Sequence, residues 1–168
     1  MRDVEVTEMA AANGAPGTPL RALPTEHPET AAVVQGAIAA GLRYRLAIDS
    51  FFGATHAIRP NGAKHTHSYR VQAVFVTEGV DEQGMVVGFR EVANLLEAEA
   101  KRFANRFLNE LHPFTVVQPT GENLAAVIFR NLEARLIEEM PGGPELVSVT
   151  LWENPTVSVT VEARRDAA

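Results

Sequence analysis

Residues 42–75, LRYRLAIDSFFGATHAIRPNGAKHTHSYRVQAVF, decide the fold. Leu42, Tyr44, Leu46, Ile48 and Phe52 share one parity, and Arg43, Arg45, Ala47 and Asp49 share the other. Side chains alternate across a strand, so this pattern predicts a strand with one buried face. Arg59-Pro60-Asn61-Gly62 then supplies strong turn chemistry. A second alternating run follows, with His65, His67, Tyr69, Val71, Ala73 and Phe75 on one face. Two such runs about one turn predict an antiparallel pair.

Downstream the period changes. After Asp81-Glu82-Gln83-Gly84, the residues Phe89, Val92, Leu96, Ala100, Phe103 and Phe107 recur at steps of three and four, which predicts an amphipathic helix. A second helix is expected to open at Thr120, whose hydroxyl can accept from first-turn amides, with Glu122 favoured at the positive helix end. Leu124, Val127, Ile128, Leu132 and Leu136 form its apolar face, and Met140-Pro141-Gly142-Gly143-Pro144 ends it. Strands over Leu146–Trp152 and Thr156–Glu162, joined at Glu153-Asn154-Pro155, complete the order ββααββ. The fold class is therefore α+β: a four-stranded antiparallel sheet with two helices on one face.

Upstream, residues 1–28 are rich in Ala, Gly, Pro and Thr and poor in large apolar side chains. Such a segment cannot offset its ordering entropy and is expected to be a flexible arm. Residues 29–42, ETAAVVQGAIAAGL, read as a helix, residues 43–163 as the domain proper and 164–168 as a tail.

The chain has 168 residues, 15 Lys+Arg against 21 Asp+Glu (net −6), 46% hydrophobic residues and no cysteine. One domain of this size buries roughly 70% of its unfolded surface. The acidic balance argues against general binding to nucleic acid or membrane surfaces. The missing cysteine removes disulfides, thiolate metal sites and thiol nucleophiles together. No run approaches the roughly 20 apolar residues of a membrane helix. Met1-Arg2-Asp3-Val4-Glu5 has neither the basic start nor the apolar core of a secretory signal, so the expected location is the cytoplasm.

His56, His65 and His67 fall within twelve residues across the predicted hairpin. His65 and His67 project to one face, and His56 ends the preceding strand. A His-x-His pair alone is an ordinary polar pair at a sheet end. The third histidine makes a facial set of nitrogen donors, and zinc on three histidines keeps a fourth position for water or substrate. His27, in the arm, and His112, beside Pro113, have no comparable partners.

These residues resemble the 6-pyruvoyltetrahydropterin and 6-carboxytetrahydropterin synthases, zinc enzymes of the tunnelling fold, from about Tyr44 to Val161. Phe52-Gly53-Ala54-Thr55-His56 resembles Phe-x-Ala-x-His, and His65-Thr66-His67-Ser68-Tyr69 resembles His-Gly-His-Asn-Tyr. Gly84-Met85-Val86-Val87-Gly88-Phe89 resembles Gly-Met-Val-Val-Asp-Phe, with Gly88 replacing the aspartate. Pro119-Thr120-Gly121-Glu122-Asn123-Leu124 resembles Pro-Thr-Ala-Glu-Asn-Leu. The resemblance implies that His56, His65 and His67 hold zinc and that Glu153 anchors a pterin, a task suited to a carboxylate that accepts two parallel N–H bonds. Through the Pro119–Leu124 motif it places Thr120 and Glu122 at the substrate. It also implies a homo-oligomer, up to a hexamer of two trimeric rings, whose sheets close into a barrel between subunits.

The departures fall on the acid–base residues. The family uses a cysteine shortly before His-x-His as a base; here the chain reads Arg59-Pro60-Asn61-Gly62-Ala63-Lys64. The family's Leu-Asp-His-x-x-Leu-Asn becomes Phe103-Ala104-Asn105-Arg106-Phe107-Leu108-Asn109, so the Asp-His pair is lost. Losing a positioned acid or base typically removes a factor of about 10² to 10⁴ in rate. Glu153, Glu110, His112 and Lys64 are the remaining candidate proton carriers. The expected function is a zinc-dependent lyase or cyclase, repurposed for a nitrogen heterocycle or an aldehyde-bearing small molecule in specialised metabolism. One alternative is a Pictet–Spengler-type amine–aldehyde cyclase with Glu153 as acid and base. Another is a non-catalytic oligomeric binding protein.

Overall fold

The computed structural model of the chain describes residues 31–164 except 60, 82 and 87. The expected arm at 1–28, His27 and tail residues 165–168 lie outside the described residues. The chain divides into two units, Met1–Gly41 and Leu42–Ala168. In the first, helix α1 spans Ala31–Ala39. Gly41, at φ 71°, follows it in the left-handed conformation common at helix ends.

In the second unit, strands β1 (Tyr44–His56) and β2 (His65–Thr77) pair antiparallel from Tyr44 opposite Thr77 to His56 opposite His65, without a register shift. The expected parity decides which face is buried. Phe52, Ala54 and His56 from β1 lie beneath cover with Tyr69, Val71, Ala73 and Phe75 from β2. The Gly62 amide donates to the Arg59 carbonyl at 2.8 Å in the connecting turn.

Helix α2 (Phe89–Phe103) turns Val92, Leu95, Leu96, Ala100 and Phe103 into the core. Its apolar stripe stops short of Phe107, which corrects the expectation from spacing. Ala104 leaves the helix at ψ 126°, Asn105 takes φ 58°, and the Asn105 amide donates to the Gly53 carbonyl at 2.6 Å. Arg106–Phe107 then form a two-residue strand, β3, parallel to Ala54–Thr55 of β1. A 3₁₀ turn follows over Leu108–Glu110.

Helix α3 (Gly121–Glu139) starts as read from the sequence, with the Thr120 hydroxyl accepting from the Asn123 amide at 3.3 Å. It buries Leu124, Ile128, Leu132 and Leu136. Strands β4 (Glu145–Asn154) and β5 (Val157–Glu162) complete a sheet of order β3-β1-β2-β4-β5. The short β3 adds a fifth strand beside the expected four. Each large side chain buried between helices and sheet contributes about 1.5–3 kcal/mol relative to exposure.

One carboxylate lies wholly inside this layer. Glu99 of α2 accepts from Arg102 at 2.8 and 3.0 Å and from the Asn131 side chain of α3 at 2.6 Å. These bonds satisfy a charge that burial would otherwise make costly and tie the two helices together.

Candidate metal centre and binding cavity

His56 ends β1 with its ring almost wholly buried. Its Nδ1 lies 2.7 Å from the Pro119 carbonyl oxygen, which can only accept, so Nδ1 carries the proton in this contact. With Nδ1 so engaged, Nε2 is the nitrogen left to face Glu153 and the cavity. Locking one imidazole nitrogen through the other is the usual preparation of a metal-binding histidine.

Glu153 stands where the sheet is irregular. Trp152 pairs with Ser158 and Asn154 with Val157, leaving Glu153 as the extra residue of a β-bulge. Bulges re-aim side chains beside functional sites. Glu153 therefore lies inside β4, not at the start of the expected turn. Its Oε1 is 3.2 Å from Nε2 of His56 and 3.2 Å from Nε2 of His67. One ligand atom from each of His56, His67 and Glu153 falls within 4.8 Å of the others.

Zinc–nitrogen and zinc–oxygen bonds of about 2.0–2.1 Å place tetrahedral ligand atoms about 3.3 Å apart. The 3.2 Å separations match that edge. A lone pair on His56 Nε2 facing a carboxylate oxygen is repulsive unless a cation or proton lies between them. The donor set therefore fits a divalent ion.

His65 sits opposite His56 in the β1–β2 register and on its face. Its ring centre is 6.2 Å from that of His56 and 6.3 Å from that of His67. The side chain is exposed but borders the same cavity of about 410 Å³, together with Thr120, Gly121, Glu122, Glu153 and Asn154. A larger cavity of about 650 Å³, near Leu136, Met140 and Leu146, is lined by none of the histidines and has no such donor cluster among the described residues.

The other candidate proton carriers are placed elsewhere. The Lys64 ammonium lies 4.1 Å from the centre of the Phe107 ring. Glu110 is exposed in the 3₁₀ turn, and His112 borders a different cavity with Arg102 and Arg130. None of the three lines the histidine cavity of this chain.

Two side chains gain a place at the site that motif spacing did not assign. Asn109 bonds both backbone groups of Ala57, the residue after His56: its Oδ1 accepts from the amide at 2.9 Å and its Nδ2 donates to the carbonyl at 2.8 Å. Tyr69 packs its ring 5.6 Å from His67 and 6.3 Å from His56. Burial, and secondarily the Glu153 carboxylate, push its phenol above the usual range near 10. Its place in the alternating run was readable, but its hydrogen-bonding state was not.

The fold and donor cluster define an α+β protein able to hold a metal on histidine and glutamate. Residues 45–164 match the family model for 6-pyruvoyl tetrahydropterin synthase, and the chain belongs to that family. It is 26% identical over 121 residues to dihydroneopterin monophosphate aldolase of Pyrococcus furiosus, covering 72% of this chain and 99% of that one. It is 30% identical over 90 residues to a putative 6-carboxy-5,6,7,8-tetrahydropterin synthase of Archaeoglobus fulgidus, covering 52% of this chain and 74% of the relative. Its fold is similar to that of 6-pyruvoyl tetrahydropterin synthase from Caenorhabditis elegans, with TM-score 0.64, 18% identity, and coverage of 73% of this chain and 97% of that one. For the Plasmodium vivax enzyme the values are 0.59 and 16%, with coverage of 74% and 99%.

Proposed function

We propose that the chain is a metal-dependent lyase that cleaves the hydroxyalkyl side chain of a reduced pterin or a similar bicyclic nitrogen heterocycle. The observation that carries this reading is the convergence of His56 Nε2, His67 Nε2 and Glu153 Oε1, with His56 fixed by Pro119. The Pyrococcus relative, matched over nearly its whole length, is named an aldolase, which lends the reaction class. The absence of any cysteine disfavours the thiol-assisted chemistry that the family resemblance would otherwise suggest.

Zinc is the proposed ion, held by His56 and His67 with His65 and Glu153 beside them. When bound, it supplies Lewis acidity toward a substrate carbonyl or hydroxyl oxygen. The chain supplies orientation and proton handling. Glu153, with Oε1 turned to the histidines, can accept an N–H bond from the heterocycle on its other oxygen, while the α3 N-terminus at Thr120 and Gly121 walls the cavity. In a retro-aldol step, the side-chain hydroxyl loses its proton, a carbon–carbon bond breaks to release an aldehyde, and the electron pair passes to the heterocycle. His65 and Glu122, both exposed on the cavity wall, are the groups proposed to receive and return that proton.

A homo-oligomer is also proposed. Among the described residues, β3 pairs with Ala54–Thr55 and the Asn105 amide bonds the Gly53 carbonyl, so the outer edge of β1 from Tyr44 to Phe52 has no strand beside it. Subunit closure would cover that edge, as barrels do. The pterin-lyase reading is tested by incubating the zinc-loaded protein with dihydroneopterin monophosphate. The expected products are a two-carbon phosphorylated aldehyde and a pterin shortened by two carbons, with chelator abolishing both. Ring closure of an arylethylamine with an aldehyde, without pterin cleavage, would favour the cyclase instead. Stoichiometric zinc without turnover on either panel would favour a binding protein.

A further inference from the structure

Tyr69 has a buried polar atom without a use in the fold. The residue is 1% exposed, and its hydroxyl has no hydrogen-bond partner among the described residues. Its ring is fixed on both sides: it stacks on Phe52 at 5.2 Å between centres and meets the rings of His67 and His56. The register explains the location. Phe52 lies opposite Tyr69, Ala54 opposite His67 and His56 opposite His65, so the phenol shares the buried face that ends in the histidine cluster.

A hydroxyl in this position loses its hydration on folding and receives nothing in return. That ordinarily costs free energy, whereas phenylalanine would fill the same space without the cost. Retaining the hydroxyl is physically reasonable if a partner arrives from outside the chain. A buried phenol O–H can donate to an acceptor brought within its reach. Metal-site chemistry supplies one, since a divalent ion held by three protein donors keeps an open position that oxygen occupies.

We infer that the Tyr69 hydroxyl is a hydrogen-bond donor reserved for an oxygen atom brought into the His56–His67–Glu153 site together with the metal. The inference rests on the metal-binding part of the proposed function. It assigns the Tyr69 hydroxyl a binding role dependent on loading the site, while the ring packs in the core with or without the metal.

The test uses the full-length wild-type protein and Tyr69→Phe, each freed of metal and then titrated with zinc alone. Without zinc, Tyr69→Phe is expected to melt at the wild-type temperature or above it. With zinc, the variant is expected to gain less stability than wild type and to bind about five- to tenfold more weakly, as befits one lost hydrogen bond. A metal-free variant that melts several degrees lower would show that the hydroxyl already serves the fold, and would overturn the inference. Equal zinc affinity in the two proteins would overturn it while leaving the metal reading intact. Failure of wild type itself to bind zinc would remove the metal reading and this inference with it.

Discussion

The side-chain amide of Asn109 makes a two-point clamp on the backbone of Ala57, spanning 52 positions of sequence at 2.9 and 2.8 Å. Ala57 follows His56, so the clamp fixes the chain where β1 delivers its imidazole to the cavity. Asn109→Ala would remove both bonds. It is expected to cost about 1–3 kcal/mol of stability and to weaken zinc binding through a less ordered His56. Chemical denaturation and zinc titration of the same preparation check the two effects; unchanged zinc affinity would confine Asn109 to stability.

The proposed metal ligands divide into a shared pair and two competitors for the remaining place. His56→Ala and His67→Ala should each lower zinc affinity by at least about 100-fold, because each removes a proposed direct ligand. Comparing His65→Ala with Glu153→Gln identifies the third donor. The 3.2 Å geometry predicts the larger loss for Glu153→Gln, whereas the family resemblance predicts it for His65→Ala. Competitive titration against a chromogenic chelator reads all four variants.

Much of this arrangement is legible in the sequence because it follows strict alternation. Parity alone puts His56, His65, His67 and Tyr69 on one face of a hairpin, and the Thr120 cap marks the start of α3. Other features depend on contacts between distant segments. The three-and-four spacing runs past Phe103, but Asn105 bonds the distant Gly53 carbonyl and Phe107 joins the sheet. The aim of Glu153 comes from a bulge, which leaves the residue pattern of β4 almost unchanged. The Asn109 clamp uses only the backbone of its partner, so no residue type at position 57 announces it.

Tyr69 gives the protein a distinct alkaline response. The folded state holds its phenol proton more tightly than the unfolded chain does. Its contribution is therefore fully present below about pH 10, the unfolded range, and is lost as pH rises beyond it. Denaturation midpoints at pH 9 and pH 11 should fall further for wild type than for Tyr69→Phe. In Tyr44→Phe, which keeps Tyr69 as the only tyrosine, tyrosinate absorbance should remain suppressed above pH 10 until the protein unfolds. Early ionisation in the folded protein would contradict this.

Gly88 takes the place of the aspartate in the resembling motif, and its backbone accounts for the difference. It caps α2 at φ 79°, where an added Cβ would come 2.5 Å from the Met140 methyl carbon and 3.4 Å from the Pro144 ring. Left-handed geometry disfavours side chains with a Cβ, although aspartate tolerates it better than most. Gly88→Asp should destabilise the protein by about 1–2 kcal/mol, measured by thermal denaturation. A stabilised variant would show that Met140 yields and that the carboxylate caps the helix.

The most direct measurement is the zinc content of tag-free protein after saturation and exhaustive removal of loosely held metal, determined for wild type and for the His56→Ala/His67→Ala double variant. One tightly held zinc per chain in wild type and none in the folded double variant is the predicted result. A wild-type protein that retains no zinc, or a double variant that retains the full complement, would contradict the assignment of the metal centre.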